Sequence, residues 1–394
     1  MVGEARHRCH YYCDLLTQQM TFGLLFRLTY NRRMKRLFLV LILSFFSTQG
    51  FTTSCPDGGE PTKSISADES HFVYNCGSSN SEQTSSSTAN NSVKPITFSN
   101  IKSRVQDIPG VAWQNTQNLI NSNNTVSGSL VQLEILKGPN TKLYFEGNEA
   151  AFTAGIKLWK NFKQPKKYLA LFYSFEDKSW AISKYNKPRL IEAPCTPSEC
   201  TGANSGIMDY SDQGVGVFGI NSSDAWDNYR YGPIQIHEYT HAVQMSPWIG
   251  KDHPGNEQQK ISPCWLIEGQ AHFAGISASF SSFKEYKETR NQQIKSHRVE
   301  GFTTFSADKI LGYYNNDIPI QCLKSPNYKL GYTLGFMTVE VLSAIGGIES
   351  SMKIYDLAGA GQSFDQAFNN VYGISWNDAK PILAEVVALL HKNL

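Results

Sequence analysis

A chain of 394 residues with 41% hydrophobic and 12% aromatic content can bury a large core, in one large domain or two lobes. Lys and Arg number 36 against 34 Asp and Glu, a formal net charge of +2. No global field favours phosphate backbones or acidic membranes, so nucleic acid is excluded as an expected partner.

Residues 1–33 read as an upstream extension or a misassigned start, with Met34 as the expected natural one. Arg32, Arg33, Lys35 and Arg36 precede the apolar run LFLVLILSFF (37–46), which is too short to span a bilayer, so residues 34–50 read as a signal peptide. Secretion, periplasmic or extracellular, is the expectation; lipidation at Cys55 and an uncleaved anchor are the alternatives. Six cysteines follow the signal: Cys55, Cys76, Cys195, Cys200, Cys264 and Cys322. An even set in an oxidising compartment points to disulfides, and Cys195 with Cys200 in CTPSEC is the easiest pair to close.

Residues 51–95, rich in Ser, Thr, Asn and Gly, read as a flexible linker because they offer little apolar surface to bury. Apolar periodicity returns near Ile96 and continues to the C-terminus. The folded body is therefore placed at 96–394, with an N-lobe at about 96–245 and a C-lobe at about 246–394. In the N-lobe, a helix is predicted over 146–162 and strands over KYLALFYSF, SWAISKY and VGVFGI (215–220). Gly214, Gly216 and Gly219 formally match GxGxxG, but they are interleaved with Val and Phe inside a strand, where a dinucleotide turn does not form. From Pro233 onward the pattern is helical: PIQIHEYTHAVQM, then segments near 264–278, 328–344, 350–358 and 375–391. The class is α+β.

His237, Glu238 and His241 spell HExxH. On a helix the two imidazoles share a face and can grip one ion, with Glu238 beside the water that ion holds. A catalytic zinc takes three protein ligands, so another residue must complete the set. The metzincin continuation is absent, since Gln244 and Pro247 stand where its Gly and His would be. Downstream, Glu268 lies in the apolar segment CWLIEGQAHF.

HEYTH followed by WLIEGQAHF, and then YTLGFMTVEVLSAIGG (332–347), resembles the gluzincin clan, in particular the peptidase MA-like proteins. The resemblance covers roughly 232–394. It implies a zincin-like fold whose mixed α/β N-terminal lobe carries an edge strand, here VGVFGI, and whose C-terminal lobe is mainly helical. It also implies one Zn2+ held by His237, His241 and Glu268, with Glu238 as general base and Tyr332 as oxyanion donor, Tyr328 standing by. The expected activity is peptide-bond hydrolysis on peptide or protein substrates, by a monomeric endopeptidase. The family usually carries an acid four residues after the ligand Glu; here it is His272, a helix turn from Glu268, which reads as a neutral hydrogen-bond acceptor, an extra ligand or a packed polar residue. That departure keeps open a second class of function, a catalytically impaired zincin-fold binding module.

Overall fold

The structure is a computed structural model that describes residues 62–65, 72–75, 95–123, 131–143, 145–185, 191, 194–195, 200–220, 232–296, 305–317 and 328–394. The signal segment, Cys55, Cys76, Cys322 and the side chain of Tyr328 lie outside the described residues.

Within the stretch expected to be a flexible linker, β1 (Thr62–Ile65) pairs antiparallel with β2 (Phe72–Asn75). Those eight residues are paired chain rather than free tether. Residues from Ser87 onward form a separate compact unit of the α+β class, mostly helical with one four-stranded sheet.

The sheet contains β3 (Gln132–Lys137), β4 (Lys167–Tyr173), β5 (Gly202–Ile207) and β6 (Gln213–Gly219), in the spatial order β3-β4-β6-β5. Its first three members are parallel, and β5 closes it antiparallel to β6. β4 is an almost unbroken apolar run because both of its faces are covered. On one face Tyr168 and Phe172 pack against Phe152 of α2 (Asn148–Leu158). On the other, Leu169, Leu171 and Tyr173 pack with Ala181 and Tyr185.

Three sequence expectations change here. SWAISKY is not a strand: Lys178–Lys184 is a helix, α3, whose buried residue Ala181 lies midway between the buried residues that flank the helix, Asp177 and Tyr185, at a spacing of four. Over seven residues, that spacing is easily mistaken for alternation. VGVFGI is a strand but not an edge strand, because β6 is hydrogen-bonded to β4 on one side and β5 on the other. Its glycines leave room for Tyr168; a Cβ on Gly216 would lie 2.3 Å from the tyrosine hydroxyl. The predicted helix at 146–162 is shorter, and Glu146 and Gly147 form the turn before it.

The remaining chain is helical. α1 (Ile108–Asn123) precedes the sheet. α4 (Pro233–Met245), α5 (Pro254–Ile261), α6 (Cys264–Ser279), α7 (Phe283–Ser296) and α8 (Ala307–Asn316) follow it. Tyr328–Leu330 leads through a π-helical turn, Gly331–Gly335, into α9 (Phe336–Gly346). α10 (Ile348–Gly359), α11 (Phe364–Tyr372) and α12 (Trp376–Lys392) complete the fold. α6 is the central helix, buried without interruption from Cys264 to Ser277.

α7 and α9 are fastened by a buried ion pair. Arg290 donates from Nε and Nη2 to the two oxygens of Glu340, each at 2.6 Å, and Tyr286 also donates to Glu340. Removing one member strands the other charge in the core. Glu340→Ala is expected to lower the unfolding free energy by about 3–5 kcal/mol in urea titrations, whereas exchanging both residues for apolar ones of similar volume is expected to cost far less.

Candidate metal site

α4 begins at Gly232, whose φ of +90° is open to glycine, and Pro233 occupies its first turn. The helix is clamped from the sheet side. Trp159 Nε1 donates to Thr240 Oγ1 (2.9 Å), the Tyr239 hydroxyl donates to Gln164, and the Tyr239 ring meets Tyr168 edge-on at 5.0 Å. With Tyr239 and Thr240 held there, His237 and His241 turn toward α6.

Glycines set how closely α6 approaches. A Cβ on Gly275 would lie 2.5 Å from the Pro233 carbonyl oxygen, so only glycine lets α6 cross the start of α4. On its other flank, a Cβ on Gly269 would lie 2.2 Å from the Gly335 carbonyl carbon, and one on Gly335 would lie 2.3 Å from the Trp265 oxygen. The π turn therefore lies directly on α6 beside Glu268. The glycines of IEGQA and YTLG are the two halves of this contact.

The N-terminus of α6 has Pro263 at its cap position, with no side-chain cap of its own. A distant residue supplies one: Asp317 accepts from the Trp265 backbone N–H at 3.0 Å. Burial pushes the Asp317 carboxyl up to about 6, although the hydrogen bond from the helix end opposes the shift.

Three donors converge between α4 and α6. His237 Nε2 and His241 Nε2 are 3.0 Å apart, and Glu268 Oε2 lies 3.6 Å from the first and 3.4 Å from the second. All three side chains are buried, and as a group they could hold a metal ion. Burial alone would raise the Glu268 carboxyl, but the charge of His241 and the close approach of both imidazoles hold it well below the usual range. Burial would lower His241, but the negative charges of Glu268 and Glu238 and the contact with Gln244 together push it up to about 9. His237 is lowered by burial. Glu238 is buried beside these donors, and burial pushes its carboxyl up to about 8.

His272 and Tyr332 are brought to the same place. The Tyr332 ring stacks parallel to His237 at 5.9 Å, and His272 meets both rings edge-on at 5.8 Å. His272 is outside the group of donors lying within 4.8 Å of one another, so it neighbours the cluster without adding a ligand atom to it. A second group, Asp209, Asp252 and His253, lies on the surface.

Sequence reasoning missed the glutamines. His241 Nδ1 faces Gln244 Oε1 at 2.9 Å, and Gln244 Nε2 in turn donates to the Ile267 carbonyl and to Gln270 Oε1, both at 2.9 Å. The available signal was Gln244 and Gln270 on helices otherwise marked for burial. No family model, curated protein or solved structure matches this chain, so the functional reading rests on its own residues.

Asp317 supplies a pH test of the helix support. Its folded pKa of about 6 exceeds the ordinary 3.8, so the folded state holds this proton more tightly than the unfolded one. The associated stability is complete below about pH 4 and is lost as pH rises through 6. Asp317→Asn keeps an oxygen for the Trp265 N–H, and its melting temperature is expected to decline less than that of the native chain over this window. Asp317→Ala removes the cap and is expected to cost about 1–2 kcal/mol.

Proposed function

We propose that the chain is a zinc-dependent peptidase of the gluzincin kind, acting as an endopeptidase outside the cytoplasm. The observation that carries this reading is the donor triangle. A tetrahedral ion with bonds of about 2.0–2.1 Å has ligand separations of about 3.3–3.4 Å, and the separations here are 3.0, 3.4 and 3.6 Å. Two imidazoles and one carboxylate are a donor set for catalytic zinc, which keeps a fourth position for water. A closed structural site would have no use for Glu238.

Zinc bound there supplies a Lewis acid and a water of lowered pKa. The residues around it do the rest. Glu238, one position along the helix from His237, would serve as the base for that water and pass its proton to the leaving amine. Tyr332, stacked on His237, would donate to the developing oxyanion. An extended peptide would join the sheet at β5, the edge strand on the α4 side, rather than at β6. Export is supported by the Cys195–Cys200 disulfide and by a disulfide at Cys264, both typical of an oxidising compartment.

Purified protein is expected to carry about one zinc per chain by elemental analysis, and His241→Ala to abolish stoichiometric binding. Undiminished zinc in that variant would place the metal elsewhere. Glu238→Gln is expected to keep zinc and stability while losing on the order of a hundredfold or more in peptide turnover. Unchanged turnover would assign the activity to another group, and a native chain that binds peptides but cuts none would make it a binding module.

A further inference from the structure

An imidazole can present a lone pair to a metal from Nε2 only if its proton resides on Nδ1. Something must therefore accept from Nδ1, and for His241 that acceptor is Gln244 Oε1. Gln244 could offer either end of its amide to the ring. Its Nε2 lies 2.9 Å from the Ile267 carbonyl, a group that only accepts, so the amino end must point there and the oxygen must face His241.

The orientation is reinforced from farther away. Ser351 Oγ donates to the Ile348 carbonyl at 3.1 Å, leaving its lone pairs to accept from Gln270 Nε2 at 2.8 Å. That turns Gln270 Oε1 toward Gln244 Nε2, at 2.9 Å. Gln258 Nε2 adds a second donor to Gln244 Oε1, at 3.0 Å. Gln244 thus accepts twice and donates twice, which exhausts its capacity. All four residues, from α4, α5, α6 and α10, are fully buried. Flipping the Gln244 amide would set its oxygen against the Ile267 carbonyl and its amino group against that of Gln258. The other ligand imidazole has no such support: His237 Nδ1 lacks a hydrogen-bond partner among the described residues and is flanked by the Tyr332 ring.

We propose that Gln244 is a positioning residue for the metal, held by the chain Ile348–Ser351–Gln270 and by Gln258, and that it fixes the tautomer and ring angle with which His241 meets the ion. The proposal rests on the zinc reading above. A neutral amide in this role leaves His241 a neutral ligand, so the cation's charge is balanced within the site by Glu268 alone among its ligands.

The test measures zinc affinity by chelator competition, together with melting temperatures of the metal-free and zinc-saturated full chain. Gln244→Met keeps length and apolar bulk and removes both hydrogen-bonding ends. Its zinc Kd is expected to rise about 10- to 100-fold, the range for losing a partner that orients a ligand. Zinc-dependent stabilisation is expected to shrink accordingly, beyond any fall in the metal-free melting temperature. A lower metal-free melting temperature with an unchanged zinc Kd would make Gln244 a packing residue and overturn the proposal. Should Gln244→Met fail to fold, Ser351→Ala carries the question from the far end of the chain: a several-fold weaker Kd upholds the proposal and a native Kd overturns it. A native chain that takes up no zinc, or whose zinc survives His241→Ala, would instead sink the metal reading and this inference with it.

Discussion

The contact on which this structure depends is between backbones. α6 and the π turn touch at Gly269 and Gly335, where either residue with a Cβ would overlap the other segment's main chain. Neighbouring helices ordinarily sit 8–10 Å apart, at a distance set by their side chains. Removing side chains at the contact brings the turn down onto the helix, and it carries Tyr332 to a position parallel with His237. Gly275 does the same against Pro233 on the opposite flank of α6. Glu268 is thereby held between two segments fixed to one helix by glycine, and its carboxylate reaches the imidazoles of α4.

Such proximity puts many polar groups into a dry interior. A buried polar atom is tolerated when it is hydrogen-bonded and a buried charge when it is paired. Along α6, Glu268 faces two imidazoles and Gln270 joins a continuous amide chain. His272 packs among the rings of His237, Tyr332 and Phe336. The same rule governs the far side of the helical lobe, where Arg290 and Glu340 are buried together. The donor cluster and this ion pair share one pattern, a buried charge set against a group of opposite or complementary charge.

What was readable in the sequence follows from this. His237, Glu238 and His241 are readable because helix periodicity alone puts them side by side. The class was readable from the change between apolar strand runs and helical patterns. Edge and centre were not, because β6 owes its central place to β5, whose sequence GANSGI carries little strand signal. SWAISKY read as alternation because the helix within it is only seven residues long, too short for its period to stand out. The glutamines were illegible for a different reason: whether Gln244 is a solvated surface amide or a buried bridge depends on Gln258, Gln270 and Ile267, which the fold alone assembles.

The cap on α6 has a consequence for how the chain is made. α4 and α6 lie close together in sequence, so the three donors leave the ribosome almost as one piece. Asp317 and Gly335 come later. Until they arrive, the nascent helix exposes a bare glycine flank and an unsatisfied N-terminus. The short segment holding every donor is thus complete before its supports exist, and its final geometry waits on the last third of translation.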